Sequence, residues 1–536
     1  MSFTPNRRSA LKLTAAASAA SALTAATATA TSAHANGQKR IAIIGSGYGG
    51  AVAARALTEK GYTVDMIEMG ADWENMAAKS NGYKFDQMTS PTERSMWFEN
   101  RTDMPLSSIA GMDFVNRSIG RAAGVLGVER FANMKVYVGK GVGGGSLANG
   151  GMAVTPTQSY FQQVLPQLDA AEMYATYFPR ANSNLGVNVP PSDIVGTSKW
   201  YQFSRLSASQ AAKAGFKHQL VPNVYDWNYM RQENFARVPK SALGGQVIFG
   251  NDYGKKSLPK TILATAFATG KVNLTTMTEV TSITQQADGT FSLDLKTIDF
   301  KGNLVSNTKK VYDRVIMAAG SVGTNRLLLQ AKNFGTIKNL PATLGTNWGP
   351  NGNIMVARNM NAATGGYQSG IPAMGVSNWD NSTNSVFAEL APFPAGIDMR
   401  IGLYLAITNN PNKGKFTWNN STGSMELDWD SAKAAPGVAA ARAFMDKMNA
   451  ANSGTSYNKG LFKDGKTFAD YFTYHPLGGA VIGETTDLNG EVKGVPGLFV
   501  MDGSLIPGKI GVNPFVTITA IAERNMDRLL AAGRFA

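Results

Sequence analysis

Three polar side chains in the second half of the chain are candidates for chemistry: Glu389, His475 and Asn513. A neutral histidine ring can accept a hydrogen bond from a hydroxyl group near neutral pH. Glu389 lies in the apolar run Phe-Ala-Glu-Leu-Ala-Pro, where poor solvation raises the pKa of a carboxylate. Asn513 stands before Pro514, a pattern typical of a helix N-cap. Local sequence alone fits a core histidine, a surface glutamate and a helix cap at least as well.

A glycine-rich loop near the N-terminus predicts a dinucleotide site. Gly45 permits a tight turn, Gly47 lets the backbone approach a pyrophosphate, and Gly50 allows close packing of helix and strand. Glu68 ends the second strand of this unit, where a carboxylate accepts hydrogen bonds from ribose hydroxyls. The unit disfavours NADP but does not distinguish NAD from FAD. Its predicted elements are a strand over 39–44, a helix over 51–60 and a strand over 62–67.

Residues 139–152 form a second glycine-rich run. Such a run indicates backbone that is pressed against a flat ligand or bent through positive φ angles, and a simple hinge is the alternative. Asn149 and Met152 are side chains of the kind that contact a ring. Further along, the sequence predicts a strand over 311–318 that leads into a helix over 325–330, and a strand over 498–501 followed by a helix from 514 to about 530.

The N-terminus has the features of a twin-arginine export signal. Arg7 and Arg8 are followed by an Ala/Thr-rich run and a small-residue site that predicts cleavage near Ala35 and secretion. A disordered tail is the alternative, and the run is too polar for a membrane span. The chain has no cysteine, which excludes disulfides, a thiolate metal site and a cysteine nucleophile, and no metal site is predicted.

The net charge is +14, but lysine and arginine are scattered without a basic stripe. Nucleic-acid binding is therefore disfavoured. A basic surface can favour anionic membranes or solubility.

Together these motifs resemble the glucose–methanol–choline (GMC) family of flavin oxidoreductases, and within it the class I cholesterol oxidases of bacteria. The matching stretches are 41–70, 139–161, 386–389, 474–479 and 502–524. The resemblance implies an α/β fold in which a Rossmann-like FAD domain carries an inserted α+β substrate domain, whose antiparallel sheet covers the flavin. The predicted FAD domain comprises 36–71, 254–345 and 489–536, and the predicted substrate domain comprises 72–253 and 346–488.

The resemblance also implies FAD as cofactor and assigns residues to it. Besides Gly45, Gly47 and Gly50, the implied contacts are Tyr48, Gly49, Glu68, Gly145, Asn149, Gly150, Met152, Val280, Asp502, Gly503, Asn513 and Phe515. Some relatives tether the flavin through a histidine. Apart from the histidine in the predicted signal, this chain has His218, outside every matching stretch, and His475, on the catalytic motif. Noncovalent FAD is therefore predicted.

In such enzymes the matching histidine receives the substrate hydroxyl, and the matching asparagine reaches substrate and flavin. The residue that matches Glu389 moves a proton from C4 to C6 of the steroid, and the one that matches Phe387 lines or gates the cavity. The resemblance implies oxidation of a sterol such as cholesterol with O2, transient peripheral membrane contact and a monomer. The alternatives are an oxidase or dehydrogenase for another bulky secondary alcohol and an exported sterol-binding flavoprotein.

Overall fold

The computed structural model describes residues 38–74, 91–105, 116–244, 253–393 and 396–536. The predicted export signal lies outside the described residues. The strands are β1 Ile41–Ile44, β2 Val64–Ile67, β3 Leu126–Phe131, β4 Met134–Gly139, β5 Lys217–Leu220, β6 Val272–Thr275, β7 Thr278–Gln285, β8 Phe291–Ile298, β9 Leu304–Tyr312, β10 Arg314–Met317, β11 Asn353–Asn359, β12 Met374–Ser377, β13 Val386–Ala391, β14 Ile401–Thr408, β15 Lys415–Asn419, β16 Ser424–Asp428, β17 Ser456–Tyr457, β18 Phe468–Ala469, β19 Phe472–Thr473 and β20 Leu498–Val500.

The α-helices are α1 Tyr48–Glu59, α2 Gln158–Val164, α3 Ala170–Glu172, α4 Phe178–Leu185, α5 Ser192–Thr197, α6 Gln202–Lys213, α7 Trp227–Asn234, α8 Ile262–Ala268, α9 Gly320–Phe334, α10 Ser431–Ala450 and α11 Phe515–Ala531. A π-helical segment, Met173–Tyr177, joins α3 to α4, and short 3₁₀ helices occur at Gly144–Leu147, Lys199–Tyr201, Leu258–Lys260, Lys463–Gly465 and Gly503–Leu505. No described helix is long and apolar enough to cross a membrane.

A parallel five-stranded sheet forms one layer, with the order β20-β10-β1-β2-β6. Its central strand β1 is fully buried and consists of Ile-Ala-Ile-Ile, as expected for a strand that is covered on both faces. Helix α1 follows β1 directly, because the Ala51 N–H bonds to the Gly47 carbonyl (2.8 Å) within the glycine loop. The helix predicted over 51–60 therefore begins three residues earlier.

A second sheet is antiparallel, with the order β17-β11-β14-β13-β12-β5 and with β18 also paired to β11. Helices α6 and α10 pack on its outer face around Tyr404 and Phe444. The predicted combination of a Rossmann-like layer with an antiparallel sheet is confirmed.

Two predicted element boundaries are wrong for identifiable reasons. The strand predicted over 311–318 is two strands, because β9 ends at Tyr312 in a separate three-stranded sheet and β10 begins at Arg314 in the parallel sheet. The helix predicted from 325 begins at Gly320, where the Asp502 carboxylate accepts the Gly320 N–H (3.0 Å).

Candidate active site

One cavity of about 630 Å³ connects the two sheets. On one side it is lined by loops that follow β1, β2 and β10, which meet at the carboxyl ends of the parallel strands. Ligands of open α/β sheets bind at this edge. On the other side it is lined by alternate residues of the antiparallel sheet, among them Met355, Leu403 and Leu405. One wall of the cavity therefore has the features of a nucleotide-binding edge, and the other wall is apolar.

The glycine loop has the geometry that a cofactor cradle requires. Gly45 has φ +95°, and a Cβ there would lie 2.4 Å from the Ala318 carbonyl oxygen. A Cβ at Gly49 would lie 1.6 Å from the Met501 oxygen, and one at Gly50 would lie 2.2 Å from the Gly45 oxygen. Gly47 has no atom within 4 Å of such a Cβ. No side chain caps α1, so its first N–H groups remain available for a pyrophosphate.

Glu68 lines the cavity, but its carboxylate is already well supplied with protein donors. Oε2 accepts the Ser46 N–H (3.1 Å) and the Ser46 hydroxyl (2.6 Å), and Oε1 accepts the N–H groups of Gly70 (2.9 Å) and Gly141 (3.2 Å). The side chain thus joins the first glycine loop to the second glycine-rich run. The predicted contact between Glu68 and the ribose stays a prediction.

Three predicted cofactor residues form one cluster at the middle of the cavity. The Asn149 amide donates to the Tyr48 hydroxyl (2.6 Å), and the Tyr48 ring stacks on Phe515 with centroids 4.9 Å apart. Burial raises the pKa of the Tyr48 hydroxyl, which is therefore neutral. This cluster fixes the second glycine run against the start of α11.

Asp502 lines the parallel-sheet wall of the cavity and supports the backbone there. Its carboxylate accepts hydrogen bonds from the Gly320 N–H, the Thr324 hydroxyl (2.5 Å) and the Ser504 N–H (2.8 Å). It therefore holds the N-terminus of α9 beside the end of β20. The other predicted cofactor residues that line the cavity are Gly145, Gly150, Met152, Val280 and Gly503.

His475 lines the cavity, and its ring and backbone are positioned by two residues that do not line it. Its Nδ1 lies 3.1 Å from Nδ2 and 3.2 Å from Oδ1 of Asn353, and its backbone N–H donates to the Thr473 hydroxyl (2.9 Å). Thr473 also accepts from the Asn353 amide (3.2 Å). Burial lowers the pKa of His475 to about 3, so the ring is neutral at ordinary pH. The contact at Nδ1 leaves Nε2 as the ring nitrogen available to the cavity.

Glu389 and Asn513 line the cavity together with His475. Glu389 is fully buried, and neither carboxylate oxygen has a hydrogen-bond partner among the described residues. Burial raises its pKa to about 8, and the neighbouring Asn513 amide reduces this rise although it lies outside strict hydrogen-bond geometry. Such a carboxyl exchanges a proton readily with a bound molecule near neutral pH.

Asn513 is not the helix cap that its local sequence suggests. Pro514 occupies the N-cap position of α11, and no side chain caps the helix. Instead Asn513 is buried beside Glu389, and its Oδ1 has no partner in the described part of the chain. The Pro514 ring fixes the start of the helix, which leaves the preceding side chain available for the cavity.

Two of the predicted residues do not line the cavity. Gly50 lies behind the loop, where it allows α1 to pack on β1. Phe387 is fully buried and stacks on Trp379 (5.1 Å). It shares a strand face with Glu389, and its ring packs between Trp379 and Gly375. Its predicted role in lining or gating the cavity stays a prediction.

Sequence reasoning missed Asn353, because nothing in its local sequence connects it to a histidine 122 residues later. Asn353 is a positioning residue for His475.

We expect Asn353→Leu to lower kcat by about 10–100-fold, by analogy with the loss that follows removal of a residue that orients a metal-binding histidine. Steady-state kinetics with FAD content and KM measured in parallel checks this.

The matched control is Asn359→Leu, at the far end of the same strand, where the side chain bonds to Ser456 and Tyr457 outside the cavity. It should keep kcat within about 2-fold. A double variant of Asn353 and His475 should be no slower than His475→Ala alone, since the two act as a unit. Additive losses would show that Asn353 acts elsewhere.

These residues fit a flavin dinucleotide. The glycine cradle and the uncapped α1 suit a pyrophosphate, and the cavity extends to both sides of it. His218 lies exposed on the edge strand β5, so of the described histidines only His475 lines the cavity. Noncovalent binding is consistent with this arrangement.

Comparison with known proteins finds relatives among flavin oxidoreductases. Residues 351–463 match the model "GMC oxidoreductase, C-terminal", residues 414–522 match "GMC oxidoreductase", and residues 43–80 match "NAD(P)-binding Rossmann-like domain". A cholesterol oxidase of Acinetobacter baumannii is 25% identical, covering 91% of this chain and 94% of that protein. A cholesterol oxidase of Mycobacterium tuberculosis is 23% identical and covers 90% of each.

Solved structures show the same fold. Pyridoxine 4-oxidase from Mesorbium loti superposes with a TM-score of 0.57 over 92% of this chain and 99% of that one, at 14% identity. An FAD-dependent oxidoreductase from Chaetomium thermophilum gives 0.62 over 93% and 100%, at 13% identity. The predicted family and the predicted FAD are thereby confirmed. The chain therefore carries GMC oxidoreductase C-terminal domains, is similar to cholesterol oxidases over about nine-tenths of its length, and uses FAD.

Proposed function

We propose that the chain oxidises the 3β-hydroxyl of cholesterol or a related sterol to the ketone, reduces O2 to H2O2, and isomerises the 5-en-3-one to the 4-en-3-one. The observation that carries this proposal is the buried, unpartnered Glu389 carboxyl in the same cavity as His475. Alcohol oxidation alone requires one group to receive the hydroxyl proton, whereas isomerisation requires a second base such as the buried Glu389 carboxylate. The names of the cholesterol oxidase relatives support the same substrate.

The apolar wall suits a steroid skeleton. Met355, Leu403 and Leu405 present one face of the antiparallel sheet to the cavity, and Pro392 and Leu126 continue the apolar lining. A rigid, mostly apolar ligand gains binding free energy from such burial, while a few polar groups at one end set its orientation. The polar end is formed by His475, Asn513 and Glu389.

FAD, when bound, accepts the hydride that leaves the carbinol carbon. His475 Nε2 accepts the hydrogen bond of the substrate hydroxyl and orients it, because burial keeps the ring neutral and Asn353 holds Nδ1. Glu389 in its ionised form then removes the C4 proton, which the new ketone has made acidic, and returns it at C6. The Asn513 amide lies beside Glu389 and favours its ionised form.

The direct test is to mix the purified holoenzyme with cholesterol in air and follow peroxide and the conjugated enone. Formation of both supports the proposal. Bleaching of the flavin without peroxide would contradict the oxidase and favour transfer to another acceptor. No bleaching at all would show that the substrate is a different alcohol or that the protein only binds its ligand.

The pKa of Glu389 predicts a pH dependence of the isomerisation. The base must be ionised, so its rate should rise with pH through about 8 and level off above it. Supplying the 5-en-3-one directly, and recording enone formation between pH 5 and 10, isolates this step from oxidation. A rate that is already maximal at pH 6 would contradict the raised pKa.

Twin-arginine export, transient membrane contact and a monomeric state also stay proposals. A secreted protein whose measured mass corresponds to a chain that starts near residue 36 would support export. A cytoplasmic protein that keeps its first 35 residues would contradict it. The basic net charge of the chain supports contact with anionic membranes.

A further inference from the structure

The cavity has a second end that the proposed reaction does not use. Glu389 lies on β13 and His475 contacts Asn353 on β11, so these groups belong to the antiparallel-sheet side of the cavity. The other end lies where β7, α9 and the β15–β16 hairpin meet, because the Thr336 hydroxyl after α9 donates to the Ile283 carbonyl of β7 (2.7 Å) and α9 also bonds to the hairpin turn. The other end is lined by Val280, Leu327 and Trp418, together with Glu279, Thr281, Gln330 and Gly423. Its surface is formed by side chains from three separate elements, β7, α9 and the β15–β16 hairpin.

The strand order shows which half of the cofactor this second end faces. The Thr278 N–H donates to the Glu68 carbonyl (3.0 Å), which places the start of β7 directly beside the end of β2. In a dinucleotide fold the adenosine half lies beyond the carboxyl end of this second strand. The glycine loop takes the pyrophosphate and the catalytic end takes the reacting half. The adenine ring of bound FAD would therefore fall at the end lined by Val280 and Trp418.

The hairpin that carries Trp418 is fixed to this wall. The Phe416 N–H donates to the Gly345 carbonyl (2.8 Å), and Asn420 at the turn accepts from Asn333 on α9 (2.6 Å). Phe416 itself is fully buried and packs against Trp348 (5.6 Å). The indole is thus held in place by contacts that do not depend on a ligand.

The Trp418 side chain offers the cavity a flat ring and a ring N–H group that has no hydrogen-bond partner among the described residues. Its Nε1 is buried and makes no hydrogen bond in the described part of the chain. The Phe334 ring packs edge-on against it (centroids 6.1 Å apart). Three other tryptophans, Trp200, Trp348 and Trp429, also have ring N–H groups without a hydrogen-bond partner among the described residues, but none of the three lines the cavity. A purine offers a flat face for stacking and ring nitrogens that accept a hydrogen bond.

We infer that Trp418 is an adenine-binding residue, and that the β15–β16 hairpin closes the adenosine end of the cavity over the cofactor. The inference concerns the cofactor and is independent of the sterol proposed above. The inference assigns to adenine a side-chain contact from Trp418, which lies about 140 residues after Val280 in the sequence. Leu327, which also lines this end, would provide an apolar side chain for the adenine ring to pack against.

The test compares FAD with FMN, which lacks the adenylate. Full-length protein is stripped of flavin and titrated with each, and binding is followed by flavin fluorescence. Trp418→Ala should raise the dissociation constant for FAD by about 10-fold, the size of one lost base–aromatic stack. The FMN constant should change by less than about 2-fold. Trp418→Phe, which keeps a ring, should restore most of the FAD affinity.

Phe334→Ala is the matched control, because it removes the exposed ring that supports Trp418 from outside the cavity. It should weaken FAD by no more than about 3-fold. Equal losses for FAD and FMN in Trp418→Ala would overturn the inference, as would unchanged FAD affinity. If Trp418→Ala does not fold, Trp418→Leu replaces it, since it retains apolar volume without an aromatic face, and the same comparison decides.

Discussion

Replacing His475 by Ala is expected to lower the rate of alcohol oxidation by about 10²–10⁴-fold while FAD stays bound. In the proposed reaction the neutral ring receives the substrate hydroxyl, and the contact of Asn353 with Nδ1 orients the ring. Its pKa of about 3 also means that the oxidation rate should show no histidine titration between pH 5 and 8. Stopped-flow reduction of the flavin by cholesterol under anaerobic conditions measures the step.

The control is His218→Ala, on the exposed edge strand β5, where the ring contributes nothing to the cavity. That variant should reduce its flavin at the wild-type rate. His475→Ala should still isomerise added 5-en-3-one, because Glu389 is untouched. Wild-type flavin reduction in His475→Ala would refute the role, provided that the flavin content is unchanged.

Glu389→Gln is expected to separate the two reactions. Glutamine has the same shape but no basic oxygen, so oxidation should persist and the isomerisation rate should fall by about 10²–10⁴-fold. The unconjugated 5-en-3-one should then accumulate. Product analysis after complete conversion of cholesterol, with peroxide measured alongside, checks this.

The expected cost to folding is small, because the carboxyl that is replaced has no hydrogen-bond partner among the described residues. A melting temperature close to wild type is the corresponding control. Full conversion to the 4-en-3-one by Glu389→Gln would mean that another group moves the proton, and Asn513 could not be that group because an amide is not basic.

The parts of the site that follow local rules were predictable from sequence. A strand, a glycine loop and a helix in succession require the backbone geometry that the structure has, with Gly45 at positive φ and Gly50 packed on the loop. The run from 139 to 152 lies against the same cavity, as its glycine content suggests. Such features depend on residues that are neighbours in the chain.

Local sequence context misleads where packing between distant segments competes with it. Asn513 has the sequence context of a helix cap, yet Pro514 takes that position and the Asn513 side chain lies beside Glu389. A capping preference contributes little compared with the close packing that places a buried side chain.

The sequence by itself determined the resemblance to GMC oxidoreductases, the cofactor and the three candidate polar residues of the proposed reaction, because motifs with specific chemistry carry that information. Only the tertiary structure decided how these residues are supported. Asn353 meets His475, Ser46 and Gly141 meet Glu68, and Trp418 joins Val280 at one cavity end. These contacts depend on strand register and on the packing of one sheet against another, which hydrogen bonds and apolar burial fix only when the whole chain is folded.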